Sequence, residues 1–271
     1  MEAAKEIGDV NQFGRVSQLQ LTAALKDGKT IVQDVFFTAP YKIMKPFVKP
    51  DGGICVMLLA ASAGIMDGDR QHFEFTVKSG ADLEFTSQSY DKIHQMKTGC
   101  AKRSTVVHVQ KGASFCFNPQ PTIPFADSAF ENSMDIYLED ATAKFQLSEI
   151  FSCGRYVRGE KFAYRHYYNL VNIHRQGRLI YRDNTRYIPS LFDMEGMGMY
   201  EGYTHQANVF ISLRDDMKEL TKQIHQLLSQ QRDMQGDVTE LSGGDIAVRA
   251  FAHRAQILER IVKAIFALTG Q

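Results

Sequence analysis

The sequence predicts a mainly β chain, with stacked antiparallel sheets, internal hairpin-like repeats and two α-helices near the C-terminus. Three observations predict it. Phe, Tyr, Val and Ile alternate with period two over about residues 15–212, glycine turns punctuate that alternation, and the spacing then becomes helical. Phe73, Phe75 and Val77 share one face and meet Lys78-Ser79-Gly80, after which Leu83 and Phe85 resume. Val107 and Val109 lead to Lys111-Gly112, then Phe115 and Phe117; Phe162, Tyr164, His166 and Tyr168 alternate again. Each is a half-buried strand bounded by a turn. Nothing between them looks like the crossover helices of a parallel α/β sheet, so antiparallel pairing is expected.

An internal echo sharpens the expectation. Gly80-Ala81-Asp82-Leu83-Glu84-Phe85 recurs as Gly112-Ala113-Ser114-Phe115-Cys116-Phe117, and more faintly as Asp140-Ala141-Thr142-Ala143-Lys144-Phe145. Such periods mark stacked supersecondary units. If the units stack, Thr86-Ser87-Gln88-Ser89, Asn118-Pro119-Gln120-Pro121 and Gln146-Leu147-Ser148-Glu149 form a polar ridge along one edge.

Helical spacing begins with Met217, Leu220, Ile224, Leu227 and Leu228, in a helix expected over 214–231 with Asp215-Asp216 at its start. A second is expected over 245–268, capped by Asp245 and striped by Phe251, Leu258, Ile261, Ile265 and Leu268. The whole reads as one unit over 1–271, a β-rich body of about 15–212 followed by a helical part of about 213–271.

The 31 basic residues balance 31 acidic ones, which argues against a nucleic-acid partner, since phosphate neutralisation needs a basic surplus. The longest strictly apolar run, 55–61, is too short to span a membrane. Four scattered cysteines (Cys55, Cys100, Cys116, Cys153) and a charged start without an apolar secretory core suit a reducing, cytoplasmic protein.

Asp67-Gly68-Asp69 offers two carboxylates on a turn. It reads as a divalent-cation pair, and hence a metal-dependent enzyme on a β-rich fold, or as a turn whose acceptors cap backbone amides. Asp91, His94 and Glu149 could join in a metal site, although no helix-borne zinc motif supports one. Hydrolase elbows, P-loops and dinucleotide fingerprints are absent from the sequence. Pro119, Pro121 and Pro124 make their segment a rigid connection or an edge, suited to bracing or recognition. Gly154-Arg155 with Gly159-Glu160 reads as an ion pair fixing a turn or as a partner contact. The segment of Met194, Met197 and Met199 between glycines reads as adaptable surface or core.

Taken in order, several pieces resemble a known family: Gly64-Ile65-Met66-Asp67-Gly68-Asp69-Arg70, Thr86-Ser87-Gln88-Ser89-Tyr90-Asp91-Lys92, Pro119-Gln120-Pro121-Thr122-Ile123-Pro124-Phe125, Ser148-Glu149, and Gly154-Arg155 with Gly159-Glu160. The series resembles the urease accessory proteins of the UreD/UreH family, at motif level over 36–182. Ala247-Val248-Arg249-Ala250 fits the same pattern. The resemblance implies a β-rich, non-enzymatic scaffold that assists nickel insertion into urease. It implies binding to a UreF-type accessory protein, through it to a UreG-type GTPase, and to the urease apoprotein. Ni²⁺ would be cargo in transit, with no tightly bound cofactor. It carries Asp69, Thr86, Ser87, Gln88, Ser89 and Glu149 over as passage residues. Pro119, Gln120, Pro121, Phe125, Gly154, Arg155 and Glu160 become partner-binding or structural residues. Hydroxyls, amides and isolated carboxylates suit transit, because they hold Ni²⁺ weakly enough to let it leave. Ala63 and Asp67 stand where the family commonly has glycine, and His94 where it often has an aromatic residue.

Overall fold

The computed structural model describes residues 16–213 and 217–270. Asp215 and Asp216, expected to open the first helix, lie outside them. In chain order the strands begin with β1 (Ser17–Lys26), β2 (Lys29–Phe37), β3 (Tyr41–Ile43), β4 (Phe47–Val48), β5 (Ile54–Ala60) and β6 (Arg70–Val77). They continue with β7 (Asp82–Ser87), β8 (Asp91–Ile93), β9 (Ala101–Val109), β10 (Ser114–Phe117), β11 (Thr122–Pro124) and β12 (Ala129–Leu138). Then follow β13 (Lys144–Ser152), β14 (His166–Arg175), β15 (Arg178–Tyr187), β16 (His205–Ser212), α1 (Met217–Ser229), β17 (Met234–Glu240), β18 (Ile246–Ala252) and α2 (Ala255–Leu268).

The strands form two stacked sheets. The first runs β15-β14-β12-β9-β6-β1-β2 and the second β17-β18-β16-β13-β10-β7-β5-β3. Mainly β and stacked is what the alternation predicts, but antiparallel pairing holds only toward the edges. In the middle, β1, β6, β9, β12 and β14 pair in parallel, as do β5, β7, β10 and β13. From β5 to β7 and from β9 to β10 and β12 to β14 the chain passes between the sheets strand by strand. The opposite sheet supplies each parallel crossover, so no helix is needed. Period-two alternation is the same for either pairing direction.

The echo is the turn of this winding. Ser114 pairs with Asp82 and Phe115 with Leu83, as the first match requires. Ser114 pairs with Lys144 and Phe115 with Phe145, so Ala143, rather than Ala141, aligns with Ala113. The faint third match is therefore two residues out of register. Inward rings stack on these turns: Phe75 lies 4.8 Å from Phe85 and 5.3 Å from Phe115, and Phe85 stacks on Phe117 at 5.2 Å. Such contacts add to the stabilisation that burial gives.

The C-terminal part is not purely helical. Ile246, Val248, Ala250 and Ala252 are buried on alternate positions, so β18 extends the second sheet where a helix from 245 was expected. The helical stripe starts only at Ala255 and Leu258, and the gap between Phe251 and Leu258 is where the period changes. Asp245 is a buried acceptor for Arg175, 2.7 Å away, and not a cap. Helices α1 and α2 bury Leu220, Ile224, Leu258, Ile261 and Ile265 with Val209 and Ile211 of β16, on the face of the second sheet away from the first. In the methionine-containing segment Met194 and Tyr200 are buried while Met197 is 94% exposed. Among the described residues no helix is long and apolar enough to cross a membrane.

Candidate functional site

The inward faces of both sheets are mainly apolar, and their larger polar side chains gather at one level. In the first sheet Phe73, Phe75, Val107, Met134, Ile136, Val171 and Ile173 point inward, and ahead of each run stands a larger polar side chain, two residues before Phe73, Met134 and Val171 and, with the buried Thr105 between, four before Val107. Those four, Gln71, Arg103, Asn132 and Asn169, are lateral neighbours across β6, β9, β12 and β14. Opposite them, Ser87 follows Leu83 and Phe85, and Glu149 follows Phe145 and Leu147. Glu149 pairs laterally with Asn208 of β16, and Asn208 with Arg249 of β18. A polar layer thus crosses the interior between the phenylalanine core and a second cluster containing Phe130, Phe151, Tyr164, Tyr167 and Tyr200.

At one end the layer opens into a cavity of about 450 Å³ lined by Tyr41, Asp69, Gln71, Ser87, Asp91 and Arg103. Arg103, 16% exposed, donates to Gln71 at 2.8 Å and pairs with Asp91 at 2.7 Å. Its guanidinium lies 5.0 Å from the Phe73 ring and 5.7 Å from that of Phe130. Burial opposes its charge, but Asp91 and Tyr41 more than offset that. Further in, Asn132 donates to Asn169 at 2.6 Å and Asn169 to Glu149 at 2.9 Å. Oδ1 of Asn132 is buried without a hydrogen-bond partner among the described residues. At the far end Arg249, 53% exposed, donates to Asn208 at 3.0 Å and to Asp183 at 3.1 Å.

Burial raises the Glu149 carboxyl to about 7; Asn169 opposes the rise, Asp183 adds to it and Arg103 opposes it. Near neutral pH it therefore passes between a neutral donor and an anion. Burial also raises Asp69, against its hydrogen bond from the Met66 amide and the charge of Arg70.

The chain matches the family described as UreD urease accessory protein over residues 15–271. It is 38% identical to a urease accessory protein UreD of Acetivibrio thermocellus, over 94% of this chain and 97% of that one. The chain belongs to the UreD family. It is also 33% identical to a urease accessory protein UreH of Helicobacter pylori strain G27, over 97% of this chain and 98% of that one. A UreD of Flavobacterium johnsoniae is 30% identical over 72% of this chain and 70% of its own length.

In this UreD-family chain the six residues expected to line a passage do not share one place. Glu149 and Ser87 face inward at the level of the layer, while Asp69 and Ser89 line its cavity. Thr86, one residue from Ser87, points to the opposite face of the sheet, and Gln88 is an exposed bend residue. The predicted ridge splits in the same way: Ser87 accepts from the Gln120 amide at 2.9 Å, whereas Ser148 turns outward and donates to Asn118.

Asp67 and Asp69 serve different backbone groups, Oδ2 of Asp67 accepting from Lys97 at 3.1 Å and Oδ2 of Asp69 from Met66 at 2.8 Å. This is the turn-capping arrangement. Asp91 is taken up by Arg103, and His94 meets the Ala63 carbonyl at 3.0 Å and the Phe125 ring at 4.7 Å. Asp91, His94 and Glu149 form no common ligand set among the described residues.

Pro119, Gln120 and Pro121 lie in a groove against α2, with Glu259, Val262 and Phe266. Thr122–Pro124 is a short strand between β8 and β13, not an edge. Its prolines bracket Thr122 and Ile123, which keep their amides. Arg155 pairs with Glu160 and covers the Phe125 ring at 4.0 Å, and Glu160 also accepts from the Ala126 amide at 3.1 Å. The pair braces this turn. Gly154 has φ +135°, and a Cβ there would stand 2.7 Å from the Glu160 carbonyl oxygen. Gly154→Ala should therefore destabilise the protein by about 1–3 kcal/mol in chemical denaturation, from backbone strain and displacement of that turn.

Gln71, Arg103, Asn132, Asn169, Asp183 and Asn208 are not among the residues the sequence singles out. For Gln71, Arg103, Asn132 and Asn169 the signal is a large polar residue at an inward position of an alternating strand; Asp183 and Asn208 carry none.

Proposed function

We propose that this chain acts in urease maturation as a non-enzymatic scaffold through which Ni²⁺ passes along the polar layer. The observation that carries the reading is the row Arg103–Asn132–Asn169–Glu149–Asn208, which joins a cavity at one side to the exposed Arg249 at the other. Amide and carboxylate oxygens hold Ni²⁺ loosely, and Glu149 can exchange a proton for the passing cation because its carboxyl titrates near neutrality. The cavity containing Asp69 and Ser87 serves as one mouth.

The scaffold role calls for docking surfaces. Val157 is 99% and Val48 73% exposed, with Tyr156 and Phe47 beside them in sequence also exposed. Apolar side chains at such exposure suit protein contacts. The partners fitting the reading are a UreF-type accessory protein, a UreG-type GTPase held through it, and the urease apoprotein.

The test is urease activation in cells lacking their own UreD-type protein, at limiting nickel. The wild-type chain should restore activity. Asn169→Leu, which removes an amide from the middle of the layer, should restore little while still being pulled down with a UreF-type protein. Full activation without this chain, or undiminished activation by folded Asn169→Leu and Glu149→Gln, would sink the transit reading.

A further inference from the structure

A second group of ligand-type side chains lies on the opposite face of the strands that carry the polar layer. Ala101, Phe130 and Tyr167 point inward, so their neighbours Cys100, Glu131 and His166 point outward from the first sheet. Cys100 Sγ, a Glu131 carboxylate oxygen and a His166 ring nitrogen all lie within 4.8 Å of one another. Cys100 Sγ is 3.8 Å and His166 Nε2 is 3.9 Å from the same atom, Glu131 Oε1. All three side chains are partly buried. Lys102 Nζ holds the other oxygen, Oε2, at 2.9 Å, which leaves Oε1 turned to the sulfur and the imidazole.

The independent observation is at His166. Its Nε2 is buried and has no hydrogen-bond partner among the described residues. A buried polar nitrogen without a partner is costly, and a bound cation would satisfy it. The ring is held in place by stacking on Tyr168 at 4.6 Å.

We propose that Cys100, Glu131 and His166 bind one divalent transition-metal ion of the Ni²⁺ and Zn²⁺ class, with an open fourth position. Thiolate, imidazole and one carboxylate oxygen are the donor set for borderline-soft ions, and unsuited to Mg²⁺ or Ca²⁺. With metal–sulfur bonds of about 2.3 Å and metal–nitrogen or metal–oxygen bonds of about 2.0–2.1 Å, the donors around a tetrahedral ion stand about 3.3–3.6 Å apart. To reach that spacing from Oε1 the sulfur closes by about 0.2–0.3 Å and the imidazole nitrogen by about 0.6 Å. Binding releases the thiol proton to solvent, and no electrons are exchanged. The site is independent of the transit reading, because the layer's residues face the other way.

The experiment titrates the reduced full-length chain with Co²⁺ and then displaces it with Ni²⁺ or Zn²⁺. Wild type and Glu149→Gln should both show a thiolate-to-cobalt charge-transfer band saturating at one ion per chain. Cys100→Ser and His166→Ala should lose it. No band on the wild-type chain, or an undiminished band on Cys100→Ser, overturns the proposal; the latter would place the thiolate at Cys55, Cys116 or Cys153. Should the variants fail to fold, alkylation of the wild-type chain decides. Added Zn²⁺ should slow iodoacetamide labelling of Cys100, read by peptide mass spectrometry, and unchanged labelling refutes the site.

Discussion

Arg103→Met is expected to destabilise the protein by about 3–5 kcal/mol in chemical denaturation at neutral pH, because it leaves a paired carboxylate unpartnered in a partly enclosed site. The guanidinium holds Asp91 at 2.7 Å and Gln71 at 2.8 Å, and sits against rings from both apolar clusters. Methionine keeps much of the packing and removes all the donors, so the loss reports the polar contacts. Arg103→Lys should recover only part of it, since a point charge cannot reach Asp91 and Gln71 in the same fork geometry. The sharper control is the double variant Arg103→Met with Asp91→Asn, which removes the orphaned charge as well as its partner. It should be more stable than Arg103→Met alone. If Arg103→Met and the double variant have the same stability, the pair is not what holds the cavity wall together.

The position of Arg103 shows what could be read from the sequence and what could not. Gln71, Asn132 and Asn169 each stand two residues before an inward apolar run, and Arg103 stands two before Thr105 on the same face, so each is individually visible as a polar residue with core parity. That they form one layer depends on lateral register, and register is a tertiary fact. A shift of one residue would have sent each to the other face. Glu149 came from the echo as well as from the resemblance, and Asp183 and Asn208 had no signal until β15 was placed beside β14 and β16 beside β13. Parallel and antiparallel strands share the same alternation, so the pairing direction was hidden. The turns were not: Gly80 and Gly112 have φ +75° and +68° and end their strands in the left-handed region that glycine favours. The third echo is out by two because Asp140, a turn residue like the glycines, stands two residues before Thr142, the position that aligns with Gly112. Likewise β18 reads as helix in the sequence because Phe251 lines up with the apolar stripe that in the structure starts at Ala255.

Glu149→Gln should raise stability and lower function together, and pH separates the two. The folded chain holds the Glu149 proton up to about 7, whereas the ordinary glutamate value is 4.5. Below the ordinary value both the folded and unfolded chains are protonated there, so the carboxyl contributes no difference. As pH rises from about 4.5 to 7, the unfolded chain gives up the proton first and gains relative to the folded one. Above the folded value both are ionised, and the penalty is complete, about 3 kcal/mol. Glutamine is neutral throughout and can still accept from Asn169 through its amide oxygen. Thermal melts of wild type and Glu149→Gln should therefore nearly coincide at pH 4.5 and separate by pH 8, with the variant the more stable. Equal separation at both pH values would mean that Glu149 is not titrating where its burial places it. Under the transit reading the same substitution removes the one carboxylate in the middle of the layer, so urease activation at limiting nickel should fall even as the melting temperature rises. Loss of activation in a chain that has become more stable cannot be ascribed to unfolding. If activation instead rose with stability, the carboxylate would be a defect tolerated by the fold and not a waypoint for the ion.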